Sequence, residues 1–567
     1  MDKEKQELSV LRHSAAHLLA HAVIELYPDT KLTIGPATEE GFFQDFLPTK
    51  NFKEEDLQIL EEKMHEIAKR NLKIDHSEIS KEEARKMYKD NPFKSELIEG
   101  IPGETVGLSV QGDFKDLCRG GHVKSTGEIQ HFKLNAISGS YWRADRSNQP
   151  LQRISGTAFF TEKDLKEYEQ RKEDAERYDH RRLGKQLDLF SFHEEGTGFP
   201  FFHPKGQAII NALMNTMRKA QSGKGYKEIS TPIVLTDDLW RRSGHYDHYK
   251  DNMYFLEIDQ RGHAIKPMNC PGSILIYKQK PRSFRELPLK LFEFGKVHRH
   301  ELSGVLHGLL RVRAFIIDDT HIYCTEDQIE SEIISTLNLI KDIMNKFGFD
   351  QINVAVSTKP KNAMGSDELW EKATNALKNA LKNTGVAYKI NEGEGAFYGP
   401  KIEVSVKDSM SREWQCGTIQ VDFFQAENFD LTYVASGGDK KRPVIIHQAI
   451  YGSLERFLAI LLEHHKGLLP FFIAPVQIKI LPISKDQNEY GKEIYNQLLN
   501  ENLRIEIDDS DDALSAKIKN AQLEKMPWML ILGKKEQESN TITLRYFDGK
   551  QEQNLTIQNV IEKSKKQ

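Results

Sequence analysis

The sequence predicts a multidomain chain of mixed α+β and α/β architecture, and three observations predict it. At 567 residues the chain exceeds what one hydrophobic core organises, so about three or four domains are expected. In the middle, the stretch Phe292–Thr325 carries two alternating apolar runs, around residues 291–297 and 312–317, on either side of a polar loop holding Gly304 and Gly308. That is the pattern of an antiparallel hairpin. In the tail, VQIKILPI, a helix around Glu489–Asn500, LRIEID, a helix around Ala513–Lys525 and WMLILG follow one another. Such β-α-β-α-β alternation predicts parallel strands with right-handed crossovers.

Bulk properties narrow the class. Net charge is −5 and the isoelectric point about 6.5, so any nucleic-acid contact must use local patches. The opening MDKEKQELSV is charged from its second residue, which predicts no secretory signal. The longest apolar runs, near 457–462 and 468–476, are too short or proline-broken to span a bilayer. Four cysteines, Cys118, Cys270, Cys324 and Cys416, show no C-x-x-C spacing, against a disulfide framework or a zinc ribbon. A soluble, cytoplasmic chain is expected, with no membrane partner.

The first segment, 1–160, opens with a helix from Leu8 to Leu26, stopped by Pro28, that sets His13, His17 and His21 on one face. GFFQDF (41–46) reads as a turn into a strand, and the charged helix 53–69 as a solvated face. In KDLCRGGHV, Cys118 and His122 again stand four apart. Taken alone, H-x-x-x-H with C-x-x-x-H reads as a metal site; the alternative is a polar cleft whose histidines do acid–base work unaided. Residues 161–186 read as one exposed linker helix, capped by Thr161 and Asp164, with Arg171, Arg177, Arg181 and Arg182 available to solvent or RNA phosphate.

In the block 187–470, a helix runs from Ile209 to Gly223, and GYKEISTPIVL (225–235) reads as a strand that Pro232 confines to an edge. The central hairpin brings Arg299, Glu301, Arg311 and Arg313 to its inner ends; such charge is costly to bury without a polyanionic ligand. A helix is expected within 359–381, behind Gly365-Ser366. Strand alternation in WQCGTIQVDF puts Gln415, Gly417 and Ile419 on one face and Cys416, Thr418 and Gln420 on the other. A short strand bearing His447 then runs into a helix past Gly452, Glu455 and Arg456. No G-x-x-x-x-G-K-[ST] occurs, which excludes a P-loop.

R-x-E (Arg299, Glu301), a loop, then R-x-x-x-F (Arg311, Phe315) resembles motif 2 of class II aminoacyl-tRNA synthetases. Residues 225–235 resemble motif 1, and Gly452, Glu455 and Arg456 motif 3. The class I signatures, an H-I-G-H-type box and a K-M-S-K-S-type loop, are absent. Across essentially the whole chain the likeness is to the threonyl-tRNA synthetase family, and it implies four parts: an editing domain (1–160), a linker helix (161–186), a class II antiparallel-sheet catalytic domain (187–470) and an α/β anticodon-binding domain (471–567).

The resemblance also implies roles. Arg299 would hold the ATP α-phosphate, Glu301 the adenine amine and Arg311 the γ-phosphate, with Phe315 stacking on the base. Lys401, Gln415 and Arg456 would complete the ATP and adenylate contacts, with Mg²⁺ on the phosphates. Met268, Asp319, Tyr398 and Gln420 would receive threonine. His245, in R-R-S-G-H-Y-D-H-Y, would lie near the terminal ribose of tRNA. Cys270, His321 and His447, which no spacing rule singles out, match the family's catalytic zinc ligands. His13, His17, Lys94, Asp116, Cys118 and His122 would line a cleft that hydrolyses seryl-tRNA without required metal.

The partners implied are ATP, L-threonine, tRNA(Thr) and a second copy through motif 1. Two features depart from the family: the small ubiquitin-like domain expected ahead of His13 is not seen, and IDDSDDALSAKIKNA places Asp508, Asp509, Asp511 and Asp512 where a basic stretch is usual. Lys534, Lys535, Glu536 and Arg545 follow the pattern. Two rivals compete: a non-catalytic RNA-binding paralogue, which loss of Arg299, Arg456 or a zinc ligand would favour, and a bare zinc-dependent aminoacyl-tRNA hydrolase, which leaves 187–470 idle.

Overall fold

A computed structural model describes residues 3–145 and 147–567, which fall into two compact units dividing between Glu173 and Asp174. In the first unit, helix Lys3–Leu26 ends two residues before Pro28 and buries Leu11, Leu18, Leu19 and Val23 completely. It packs on an antiparallel four-stranded sheet ordered Lys31–Leu32, Phe42–Leu47, Pro150–Phe159, His131–Tyr141. Helix Glu54–Lys69 is not the solvated face its charge suggests. Leu60, Met64, Ile67 and Ala68 are buried in the same core as the first helix, and only the outer face carries charge. Few apolar residues suffice when they recur every three or four positions. A second sheet, Ile74–Ser80, Thr105–Gln111 and Phe114–Leu117, is antiparallel throughout.

The expected linker is two helices, Glu162–Arg177 and His180–Gln186. Asp179 breaks it, because its carboxylate accepts the Arg181 amide at 2.8 Å and caps a new helix. Thr161 caps the first, accepting the Asp164 amide at 3.2 Å.

The second unit holds an eight-stranded sheet, whose central members are Leu289–His298, Ala314–Cys324, Val444–Ala449, Glu413–Asp422 and Lys401–Lys407, side by side in that order and antiparallel. The hairpin is longer than its alternation implied: ten residue pairs run from Leu289↔Tyr323 to His298↔Ala314. Helices Ile329–Lys346, Asp367–Thr384 and Leu454–His464 cover one face, sealing Val404, Ile419, Ile446 and Leu458 in the main core. On the other face, Ile274 and Tyr277 of helix Cys270–Lys278, with Ala426 and Phe429, cover Leu289, Leu291, Tyr323 and Ile445 at one end, and a cavity opens beside them.

Two local patterns differ from the alternation. Pro232 lies between two short strands, Tyr226–Glu228 and Val234–Thr236, which join different sheets; proline has no N–H to give a ladder. At Cys416 the pairing slips, from Val404↔Gly417 to Ser405↔Gln415. This β-bulge inserts one residue and reverses the phase. Gln415 therefore joins the face of Thr418 and Gln420 instead of opposing it. In the tail, parallel strands Ile478–Pro482, Ile505–Ile507 and Trp528–Leu532 are extended by an antiparallel pair, Ile542–Tyr546 and Gln551–Leu555, that the sequence pattern did not reveal.

Candidate active site and second cleft

On the partly covered face of the large sheet lies a cavity of about 530 Å³, whose lining includes Met268, Cys270, Arg299, Glu301, Arg311, Phe315, Asp319, His321, Tyr398, Gln420, His447 and Arg456. Arg299 leaves the end of the first hairpin strand. Its guanidinium carbon lies 5.1 Å from the Phe315 ring centre and 5.6 Å from that of Tyr249, and its Nε donates to the Pro267 carbonyl at 3.2 Å. A cation held by two rings and one carbonyl keeps its remaining N–H groups for a ligand. Glu301 faces Arg311 across the loop at 3.4 Å. Arg313 does not join them: it donates to the carbonyls of Glu301 and Thr197 at 2.9 and 3.0 Å and ties down the loop.

Arg456 enters from helix Leu454–His464. Ser453 caps that helix, accepting the Arg456 amide at 3.1 Å. Asp318, on the second hairpin strand, accepts the amides of Ile450, Tyr451 and Gly452 at 2.9, 3.0 and 3.0 Å. Gly452 has φ +77°, so a side chain would be strained here. The Arg456 Nε is buried without a partner, and burial lowers its pKa. Both facts mark a guanidinium shaped for an anion.

At the cavity wall, Cys270, His321 and His447 each offer a ligand atom, all within 4.8 Å of one another. His321 and His447 pair directly across adjacent strands, and Cys270 opens helix Cys270–Lys278. All three are buried, yet both ring nitrogens of His321 lack hydrogen-bond partners. Burial holds its pKa down at about 4, so the ring is neutral and offers a lone pair on one of its two nitrogens. The His447 Nε2 meets Asp422 at 3.0 Å, the carboxylate–imidazole arrangement that orients a metal-binding ring. An orphaned, neutral imidazole beside a thiol and an oriented second imidazole fits the donor chemistry of zinc. Asp319 accepts from Asn269 Nδ2 at 3.0 Å and stands 3.8 Å from His321. Tyr398 donates to Gln420, whose amide nitrogen donates to Thr418 at 3.2 Å.

Three expected residues lie outside the cavity lining. His245 is fully buried, 3.9 Å from Cys270 Sγ, with Ser243 and Met268 as its other partners. Lys401 pairs with Glu403 at 2.6 Å, and Gln415 donates to the same carboxylate at 2.8 Å. Sequence reasoning missed Glu403, Asn269 and Asp422. Asp422 was within reach: two residues past Gln420 on one strand, it shares that face.

In the N-terminal unit, His13, His17, Cys118 and His122 also converge within 4.8 Å. His13 Nε2 and His122 Nε2 each lie 3.1 Å from Cys118 Sγ, and the two rings stack at 4.6 Å. Ser14, not foreseen, meets His122 Nδ1 at 3.3 Å. Lys94 and Asp116 form a buried ion pair at 2.5 Å, and Asp116 stands 3.8 Å from His17. Burial, then the neighbouring histidines, hold His122 down at about 3. His21 does not join; it turns to Glu25 at 3.0 Å and Gln111 at 3.1 Å.

An antiparallel sheet presenting this arginine-lined cavity defines a class II aminoacyl-tRNA synthetase. Residues 254–465 match the family described as tRNA synthetase class II core domain (G, H, P, S and T). Residues 475–567 match the anticodon binding domain, and 108–155 the threonyl and alanyl tRNA synthetase second additional domain. The threonine–tRNA ligase of Acetivibrio thermocellus is 53% identical over 537 residues, 94% of this chain and 84% of that one. Its counterpart from Clostridium tetani is 51% identical over 557 residues, 96% and 87%. A crystal structure of the RNA binding domain of threonyl-tRNA synthetase from Cryptosporidium parvum Iowa II aligns with TM-score 0.67 and 41% identity, covering 68% of this chain and 98% of that one. The chain belongs to the threonine–tRNA ligase family. Among the described residues no helix is long and apolar enough to cross a membrane.

Proposed function

We propose that the protein activates L-threonine with ATP, transfers the threonyl group to tRNA(Thr), and hydrolyses seryl-tRNA(Thr) in its N-terminal unit. The observation that carries this reading is His321, a buried imidazole with two unpartnered nitrogens, facing Cys270 and His447 in the wall of an arginine-lined cavity.

Arg299 takes the α-phosphate, Arg311 the γ-phosphate, Glu301 the adenine amine, and Phe315 stacks on the base; Mg²⁺ accompanies the phosphates. A threonine carboxylate oxygen attacks the α-phosphorus and pyrophosphate departs, with Arg299 and Arg456 offsetting the charge that develops there. Lys401 and Gln415 join the site by exchanging Glu403 for ligand oxygens. A zinc ion held by Cys270, His321 and His447 would supply a Lewis acid able to bind both the amine and the hydroxyl of threonine. Asp319, fixed by Asn269 at 3.0 Å, accepts a hydrogen bond from the threonine hydroxyl, while Met268, Tyr398 and Gln420 enclose the amino acid. His245 steadies the wall behind the terminal ribose of tRNA.

Selection by hydroxyl rejects valine by roughly 10⁴ or more, whereas the methyl that serine lacks is worth only about 1–3 kcal/mol. A second, hydrolytic site is therefore required. The neutral His13, His17 and His122 beside Cys118 suit proton transfer to and from an attacking water, and the buried Lys94–Asp116 pair fixes the cleft floor. Two copies pair through residues 225–235, whose Ile233 and Val234 are 40% and 41% exposed, and the enzyme works in the cytoplasm. The test is amino-acid-dependent ATP–pyrophosphate exchange: threonine should support it best, serine within about 200-fold, and valine far less. Absence of threonine-dependent exchange would overturn the reading.

A further inference from the structure

A third cluster of titratable groups lies outside both sites: Asp179, His180 and Glu463. His180 is the first residue of helix His180–Gln186 and is fully buried. Its Nδ1 lies 2.6 Å from Glu463 Oε1, which also accepts the His180 amide at 3.0 Å. On the far side of the ring, Nε2 accepts the Leu309 amide at 3.0 Å. One neutral imidazole, protonated at Nδ1, satisfies both contacts, since Nε2 must keep its lone pair to accept.

The two elements it joins are the ones that deliver phosphate-binding arginines. Glu463 lies on helix Leu454–His464, which carries Arg456. Leu309 lies in the turn Gly308–Leu310, and the next residue is Arg311. Glu463 is fixed independently, because Arg412 reaches its other oxygen at 2.5 Å and is itself bound to Asp408 at 2.7 Å. The turn rests on the ring so closely that a Cβ on Gly308 would come within 2.1 Å of His180 Nε2. A buried N–H that loses its acceptor is left desolvated and unpaired, which the turn can relieve only by moving.

We infer that His180 is a positioning residue for nucleotide binding, an imidazole strut that sets the spacing between Arg311 and Arg456 without touching substrate. The inference rests on the proposed use of those arginines for ATP. It predicts a selective defect: ATP is held less well, while threonine binding and seryl-tRNA hydrolysis, which depend on other residues, are spared.

Two amides separate the two ends of the ring. Asparagine places a donor near Nδ1 and leaves Leu309 without an acceptor; glutamine places an amide oxygen near Nε2. In threonine-dependent ATP–pyrophosphate exchange, His180→Asn should raise KM for ATP about tenfold with KM for threonine within twofold, and His180→Gln should restore most of the loss. Gly308→Ala, which presses a methyl against Nε2, should also raise KM for ATP, and it supplies the test should His180→Asn fail to fold. An unchanged KM for ATP in the folded variant, a parallel rise in both KM values, or no advantage of Gln over Asn would overturn the inference. Inactive wild-type protein would instead overturn the functional reading on which it rests.

Discussion

Two clusters in this chain are built from the same side chains, one cysteine with two or three histidines, and differ in what those side chains do with their hydrogen-bonding atoms. In the N-terminal cleft, His13, Cys118 and His122 engage one another at 3.1 Å, and Cys118 is only partly buried. In the catalytic cavity all three members are buried, and His321 engages no partner through either nitrogen. Leaving a buried polar atom unpaired costs about 1–3 kcal/mol, and a ring with both nitrogens unpaired in a cavity wall is completed most simply by a ligand from outside. The N-terminal set closes on itself through His13, Cys118 and His122 and leaves one orphan atom, His17 Nδ1, whereas the catalytic set leaves both nitrogens of one ring unpaired; the first suits moving protons and the second suits holding an ion. Residue type alone therefore does not separate a hydrolytic cluster from a metal site; the partners do.

The largest effect tests the unsatisfied set. Cys270→Ser should reduce threonine-dependent exchange by roughly 10³-fold or more, because the hydroxyl-reading device is lost with the thiolate. Zinc content per subunit should fall with it, while seryl-tRNA hydrolysis by the same preparation stays unchanged. Retained zinc at full stoichiometry would break the comparison. Next, His13→Ala should slow seryl-tRNA hydrolysis about 10²-fold, the usual worth of one positioned proton-transfer group. Threonylation should be unaffected, and equal clearance of seryl-tRNA by variant and wild type would remove the cleft from editing.

A smaller effect is expected at the support of Asp319. A Cβ on Gly295 would lie 2.2 Å from Asn269 Oδ1, and Asn269 is fully buried with that oxygen unpartnered. Gly295→Ala should therefore push Asn269 off Asp319, at a cost of about 1–3 kcal/mol in stability for the overpacking. Discrimination of threonine against valine should weaken about tenfold, read as the ratio of exchange rates. An unaltered ratio in a destabilised protein would mean that Asn269 only fills space.

Much of this was legible because strands and helices impose different periods. The central hairpin, the helix bearing Arg456 and the alternating tail followed from period alone; Arg299 and Arg311 were picked out by the likeness to motif 2, and Arg313, expected to converge with them, instead holds the loop. What escaped was of another kind. A single inserted residue at Cys416 reversed the face of Gln415, and one capping carboxylate, Asp179, split an apparently continuous helix. The buried stripe of helix Glu54–Lys69 was hidden by its charge density, since each of its four buried residues has charged neighbours. Cys270, His321 and His447 lie far apart in sequence, so only the family likeness named them; the fold pairs His321 with His447 across two strands and brings Cys270 in from the start of a helix. Lys401 and Glu403, two apart on one strand face, read as an ordinary exposed pair; what the sequence did not show is that both are largely shielded, with Gln415 on the same carboxylate.

The smallest effect concerns pH, and it bears on whether the N-terminal cluster works as neutral histidines. Burial, then the charges of His17 and His13, hold His122 at about 3; burial, then His13 and Lys94, hold His17 well below its usual value. An ordinary histidine near 6.5 would be about three-quarters protonated at pH 6, costing a general base about fourfold in rate. Here seryl-tRNA hydrolysis should change less than about twofold between pH 8 and pH 6. Stability follows the opposite course. With folded pKa values below the unfolded one, the unfolded chain binds protons first as pH falls, so the contribution of these rings is complete above about 6.5 and drains away between there and about 3. Wild-type protein should thus lose thermal stability between pH 7 and pH 5 while its hydrolytic rate, measured below the melting range, holds level through pH 6. A fourfold fall in rate by pH 6 would mean that the cleft histidines titrate like solvated ones, and that the contrast between the two clusters has been drawn in the wrong place.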